Sequence, residues 1–316
     1  MQNIEKIIRN EQDFLIIGHI SPDGDTIGSG MALLLALQGL GKSAIFVIDG
    51  KVPEKMAFVR DYAPVYSVAD CPKRDYACAI AVDVSDKGRL GKAQPLFEAA
   101  KRTVVIDHHG TNPAFGQENY IDPVGAAGLL IYRLLTQMHI PLTQPMANLL
   151  YMAICTDTGN FSYSNTDAAI LYAAAALREA GADIPRIAES IYQARSLGAT
   201  RLIGRSLEHL VLAEDGKIAL TYILQEDFGV CGALIEDTEE LINYAREIRG
   251  VEIAIFLRQS EENQFKLSFR SKNYANVAAL AAEFEGGGHI HASGGKLQAP
   301  LEQAIPRVIA AAARYL

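Results

Sequence analysis

Between residues 19 and 25 the chain carries one imidazole and two carboxylates, in the order His19-Ile20-Ser21-Pro22-Asp23-Gly24-Asp25. Asp23 and Asp25 flank a glycine, so both side chains reach one small volume only where something offsets their repulsion, and a divalent cation does that best. The same donor types recur as Asp83, as the triplet Asp107-His108-His109, and as Asp157 within Thr156-Asp157-Thr158-Gly159. A single aspartate after an apolar run is more often a turn former or a helix cap. Jointly, carboxylate and imidazole donors without thiolate favour Mn²⁺ or Mg²⁺, and the number of carboxylates suits two ions. A pair of such ions about 3.5 to 4 Å apart activates water and stabilises charge developing on a phosphoryl group, so phosphoester hydrolysis is the leading reaction class.

The elements that must position these donors follow from periodicity. Residues 14–17, 44–48, 78–84 and 103–106 are short apolar runs that read as strands. They alternate with helices over 1–10, 26–40 and 146–154, and such alternation predicts a doubly wound, mainly parallel sheet. His19, Asp83 and Asp107-His108-His109 fall at or just past the C-terminal ends of three of these strands, the edge at which open α/β sheets bind ligands. Asp157 is expected just after the helix over 146–154. Helices over 168–180 and 184–195 close this domain, placed at 1–195.

A helical connector over 196–212 leads to a second, smaller α+β domain over 213–316. Its expected strands are 218–224, 251–257 and 265–269, with helices near 239–248 and 277–284. The segment 286–295, Gly-Gly-Gly-His-Ile-His-Ala-Ser-Gly-Gly, reads as a loop. Glycine runs can end a helix or expose N–H groups to an anion, and His289, His291, Arg270 and Lys272 add cationic donors. Gly39-Leu40-Gly41-Lys42-Ser43 is not a P-loop, because Ala36 stands at the required upstream glycine and the segment follows a helix. Gly28-Ser29-Gly30 is not a dinucleotide fingerprint, since Leu33 replaces its third glycine. Phe161, Tyr163 and Tyr274 could stack a base, although aromatic side chains more often pack a core.

Composition narrows the partners. At 316 residues the chain has room for two domains. Its formal charge of −8 argues against a long nucleic-acid track but leaves room for a ligand with two or three phosphates. Cys71, Cys78, Cys155 and Cys231 show neither a CxxC pair nor regular spacing and read as reduced core residues. No apolar run is long enough for a bilayer and no leader is visible, so the expectation is a cytoplasmic protein without a membrane partner.

With these residues together, the sequence resembles the DHH phosphoesterase superfamily. Asp107-His108-His109 is its signature, and His19/Asp23/Asp25, Asp83 and Asp157 stand in the superfamily's order. The Gly286-Gly287-Gly288-His289 element resembles the associated DHHA1 domain. Length and ending look most like the NrnA group of bifunctional oligoribonucleases and 3′-phosphoadenosine-5′-phosphate (pAp) phosphatases. Type II pyrophosphatases lack the glycine element, and RecJ exonucleases carry a further nucleic-acid module.

The resemblance implies two Mn²⁺ ions, with Mg²⁺ or another divalent ion as substitute. It places His19, Asp23 and Asp83 on the first ion, and Asp25, Asp83, His108 and Asp157 on the second. Asp107 orients an imidazole, His109 meets the scissile phosphate, and Arg270, Gly287, Gly288 and His289 hold substrate phosphates. Domain closure completes the site. Implied substrates are short oligoribonucleotides or phosphorylated nucleotides, with linear or cyclic dinucleotides as the alternative and a pyrophosphatase, an exopolyphosphatase or a non-catalytic nucleotide sensor as lesser readings, and a homodimer is an allowed assembly. His291 has no role in the motif.

Overall fold

The computed structural model describes residues 1–72 and 74–316. They divide into two compact units, Met1–Ala194 and Arg195–Leu316.

The first unit is built on a six-stranded parallel sheet of β1 (Asp13–Ile17), β2 (Ser43–Ile48), β3 (Val65–Ser67), β4 (Cys78–Val82), β5 (Thr103–Asp107) and β6 (Glu118–Ile121) in the order β3-β2-β1-β4-β5-β6. The order reverses between β1 and β4, which makes their C-terminal ends the switch point where such sheets bind ligands. Central strands are covered on both faces and therefore read as unbroken apolar runs. Phe14, Ile16, Ile80, Val82, Val104 and Ile106 face one layer, and Leu15, Ile17, Ala79, Ala81 and Val105 face the other. The first layer is formed by α1 (Gln2–Asn10), α2 (Gly24–Gly39), α4 (Ala127–Gln137), α5 (Gln144–Asp157), α6 (Ala168–Glu179) and α7 (Ile184–Ala188). The second holds α3 (Gln94–Ala99), with Leu90, Ala93 and Phe97 buried against the sheet.

Gly28 lets α2 lie almost directly on α5: a Cβ there would stand 2.3 Å from the Leu149 carbonyl oxygen. The Gly28-Ser29-Gly30 stretch thus serves helix packing. Four expectations need correction. The strand expected over 78–84 ends at Val82, because Asp83 turns into the left-handed region with φ 58°. Asp157 is the last residue of α5, one turn beyond the expected helix end. The helix expected over 184–195 breaks after α7 into a π-helical turn, Glu189–Gln193. Edge strands β3 and β6 and helix α4 have no counterpart in the sequence reading.

The second unit carries a mixed sheet ordered β11-β12-β10-β9-β8-β7, made of β7 (Val211–Ala213), β8 (Ile218–Ile223), β9 (Ile253–Glu261), β10 (Gln264–Ser271), β11 (Gly287–His289) and β12 (Ala292–Gln298). Only β8 and β9 pair in parallel. Helices α11 (Val277–Ala282) and α12 (Leu301–Ala313) bury Val277, Leu280 and Val308 against one face. On the other face lie α8 (Leu197–Glu208) and α10 (Leu241–Arg246), and α9 (Gln225–Cys231) packs on α8. Residues 196–212 hold α8 and the start of β7, and Leu202 is buried in this unit's core. The segment 286–295 is a correction: Gly287–His289 pairs with Ala292–Gln298 as an antiparallel hairpin instead of a loop. The four cysteines are free and buried. Among the described residues no helix is long and apolar enough to cross a membrane.

Candidate metal centre

The strand ends deliver their donors to one place. Asp83, 2% exposed, lies 3.6 Å (Oδ2) from His19 Nε2 and 3.3 Å (Oδ1) from His108 Nε2. Asp23 Oδ2 stands 3.7 Å from His19 Nε2, and His108 Nε2 is 3.8 Å from Asp25 Oδ2 and 3.7 Å from Asp157 Oδ2. Three overlapping groups result: His19, Asp23 and Asp83; Asp25, His108 and Asp157; and Asp83, His108 and His109. In each, the donor atoms lie within 4.8 Å of one another.

Each donor is held by something built earlier in the fold. Asp23 caps α2, accepting from the amides of Asp25 and Thr26 at 3.1 and 3.0 Å, which starts the helix where Asp25 can turn inward. Asp25 accepts from Ala127 N at 2.6 Å, Gly128 N at 2.8 Å and Ser29 Oγ at 2.9 Å. The first two are orphan amides of the α4 N-terminus, where a carboxylate is favoured by the helix dipole. Thr26 Oγ1 donates to Asp83 Oδ2 at 2.6 Å. Both ligand-type imidazoles commit Nδ1 to a carbonyl, His19 to Ile20 O at 2.7 Å and His108 to Val124 O at 3.0 Å. This aims each Nε2 at the carboxylates, as metal-bound histidines require. Arg89 Nη2 lies 3.3 Å from His19 Nδ1.

His109 is arranged differently. Its Nδ1 donates to Asp107 Oδ1 at 2.7 Å, and Asn112 Nδ2 donates to Asp107 Oδ2 at 2.6 Å and to Val84 O at 2.8 Å. Burial opposes ionisation of Asp107, but His109 and Asn112 outweigh it and hold the carboxyl below its usual range. Thr26, Ser29, Arg89 and Asn112 went unread in the sequence. Ser and Thr inside a helix and a lone Asn after a histidine pair carry no local signal of this kind.

The electrostatics call for positive charge. Burial, then the Asp83 and Asp157 carboxylates, push the Asp25 carboxyl well above its ordinary value. Burial raises Asp157 to about 6, since Asp83 and Asp23 add to it while His108 only partly offsets them. On His108 burial disfavours the proton, yet Asp83, Asp25 and Asp157 outweigh it and push the ring up to about 11. Asp83 Oδ1 is fully buried and has no well-formed hydrogen bond among the described residues, facing only the His108 ring, with Nε2 at 3.3 Å, and the more distant His109 Nδ1 at 3.9 Å. A buried carboxylate oxygen left so is costly unless a cation meets it. An all-oxygen-and-nitrogen donor set with that orphan atom fits hard divalent ions.

In the second unit, Arg270 of β10 and His289 of β11 both pair with Ala292 of the intervening β12. Residues directly opposite in antiparallel pairs project from the same face, so the two side chains leave the sheet together, about 10 Å apart across two strand spacings. Gly287 and Gly288 are exposed on β11, and His291 Nδ1 lies 2.8 Å from Ser271 Oγ.

Together these features define an α/β protein whose sheet edge gathers acidic and imidazole donors at its switch point. Residues 13–154 match the DHH family, N-terminal domain, and residues 222–316 match the DHHA1 domain. The bifunctional oligoribonuclease and PAP phosphatase NrnA of Thermus thermophilus is 33% identical over 304 residues, 95% of this chain and 89% of the relative. The cyclic-di-AMP phosphodiesterase GdpP of Bacillus subtilis is 24% identical over 91% of this chain but 45% of its own length. A crystal structure of an exopolyphosphatase-related protein from Bacteroides fragilis superposes with a TM-score of 0.91 at 25% identity, covering 99% of this chain and 95% of that one. The chain belongs to the DHH/DHHA1 phosphoesterase family, hydrolases acting on phosphoester bonds.

Proposed function

We propose that this chain is a manganese-dependent phosphoesterase that releases mononucleotides from very short oligoribonucleotides and removes a phosphate from pAp. The observation that carries the reading is the convergence of six donors around the orphan oxygen of Asp83, joined to 33% identity with an enzyme named for those two activities. His19, Asp23 and Asp83 would hold one divalent ion, and Asp25, Asp83, His108 and Asp157 a second. When bound, such ions activate water at neutral pH and offset charge developing on a phosphoryl group.

The remaining steps belong to the chain. Asp107 fixes the His109 ring through Nδ1, so that Nε2 is left to meet a substrate phosphate oxygen. Arg270 and His289, projecting from one sheet face with the backbone of Gly287 and Gly288, supply further donors to the substrate's phosphates. Two or three phosphates suffice for these groups, in keeping with the net charge of −8.

A substrate panel of pAp, a two- to five-residue RNA, pApA and cyclic di-AMP, with Mn²⁺ added, tests the proposal. Turnover of pAp and short RNA is expected, and Asp83→Asn is expected to abolish it while the folded far-UV signal is kept. Preference for cyclic di-AMP would move the assignment to the GdpP-like activity. Full activity in Asp83→Asn would defeat the two-ion scheme.

A further inference from the structure

The turn from β10 to α11 is fastened more firmly than its length requires. Glu252, 3% exposed, spends its carboxylate on this turn: Oε1 accepts from Asn273 N at 3.0 Å, Tyr274 N at 2.8 Å and Ala275 N at 2.9 Å, and Oε2 accepts from Asn273 Nδ2 at 2.9 Å. The Glu252 carbonyl accepts from Lys272 N at 3.0 Å. Both ends of the turn are stitched to the tip of the β11–β12 hairpin, by Ser271 N to His291 O at 3.1 Å and Val277 N to Ile290 O at 2.8 Å, with the Ser271–His291 side-chain contact beside them. Three consecutive amides captured by one buried acceptor restrain the turn's backbone, and the hairpin ties hold it next to the β11–β12 tip.

What this frame displays is an aromatic ring. Tyr274 is 57% exposed, and Ile290 on the adjoining hairpin tip is 56% exposed. Tyr274 lies four residues beyond Arg270, at most about 14 Å even along a fully extended chain. Of the other two aromatics singled out from the sequence, both in the first unit, Phe161 packs on Tyr151 at 5.7 Å between centroids, and the Tyr163 ring, 45% exposed, lies against Gly159.

We propose that Tyr274 is the platform on which the nucleobase of a phosphorylated substrate stacks, with Glu252 as the residue that positions it. The assignment deepens the reading of the chain as an enzyme for short nucleotides and rests on it. Base–aromatic stacking tolerates every base, because each has a π-face, so the contact selects nucleotides from other phosphate esters without selecting a sequence.

The test is steady-state kinetics on the full chain with Mn²⁺, using pAp and the same sugar bisphosphate without its adenine. Tyr274→Ala is expected to reduce the wild-type preference in kcat/KM for the base-bearing compound about 5- to 150-fold, through KM, and Tyr274→Phe to retain it. An unchanged preference in Tyr274→Ala, an equal loss on both compounds, or a wild type without preference overturns the assignment while leaving the enzyme reading intact. A wild type that turns over neither nucleotides nor short RNA overturns the enzyme reading and this assignment with it.

Discussion

Replacing Gly28 by alanine perturbs the site without touching any of its donors. A Cβ at this position would stand 2.3 Å from Leu149 O, 2.9 Å from Ala153 Cβ and 3.1 Å from Ala153 N. Ordinary contact begins at 3.4 Å, so the shortfall against the Leu149 carbonyl is about 1.1 Å. Two of the three atoms are backbone, and no change of rotamer relieves them. Overpacking of this kind costs about 1 to 3 kcal/mol, against a gain of about 1 kcal/mol in helix propensity for Gly→Ala. Because the obstruction is backbone, the clash is expected to win, with a net loss of up to about 2 kcal/mol and a melting temperature lower by up to about 8 °C.

The same displacement reaches the site. Helix α2 carries Asp25 and α5 carries Asp157, and ligand distances tolerate only about 0.2 Å. Mn²⁺ affinity, measured by calorimetry independently of turnover, is therefore expected to fall about 10- to 100-fold, the range seen when a ligand's support is lost. Gly39→Ala is the control: it is the same substitution in the same helix, with nothing within 4 Å of the added carbon. It is expected to leave Mn²⁺ binding as in the wild type and to raise stability by up to about 1 kcal/mol. A Gly28→Ala chain as stable as the wild type, with an unaltered Mn²⁺ isotherm, would refute the view that close α2–α5 contact sets the distance between the two carboxylates.

Two further substitutions probe the supports. Asp107→Asn removes the charge that holds His109 and is expected to lower kcat about 100-fold or more with Mn²⁺ affinity retained; Asn112→Ala, one bond further out, should cost about 10-fold, and kinetics paired with calorimetry would expose either expectation as wrong. Glu252→Gln should destabilise the chain by about 1 to 3 kcal/mol near pH 7. Burial opposes ionisation of the Glu252 carboxyl, but the turn's amides and Asn273 outweigh it and hold the group below the ordinary glutamate range, so its contribution is complete above that range and disappears as pH falls through the lower folded value. Denaturant midpoints of variant and wild type should therefore converge as the pH is lowered below the ordinary glutamate range, and a gap independent of pH would contradict this.

The parts of the fold legible in the sequence are those whose signal is local. β1, β4 and β5 are buried on both faces, so each is an apolar run ending at a polar donor, and alternation with helices set the direction of the sheet. What could not be read depends on distant partners. β11 is Gly287–His289, a sequence with little strand propensity, and it is extended only because β12 pairs with it. Helix α4 is the clearer case. A helix start is ordinarily marked by Ser, Thr, Asp or Asn at the cap, but the cap residue of α4 is Ala126, with no side-chain bond of its own. The capping oxygens belong to Asp25, 102 residues before Ala127.

That long-range cap makes fold and site interdependent. The α4 amides favour an ionised Asp25, whereas its burial and its neighbours Asp83 and Asp157 oppose ionisation. A cation added to the cluster removes the second effect without disturbing the first. The helix terminus thus holds Asp25 in position before any ion arrives, and the cost of gathering three carboxylates falls on the fold of the first unit, where strong α2–α5 contact and the buried parallel sheet can meet it.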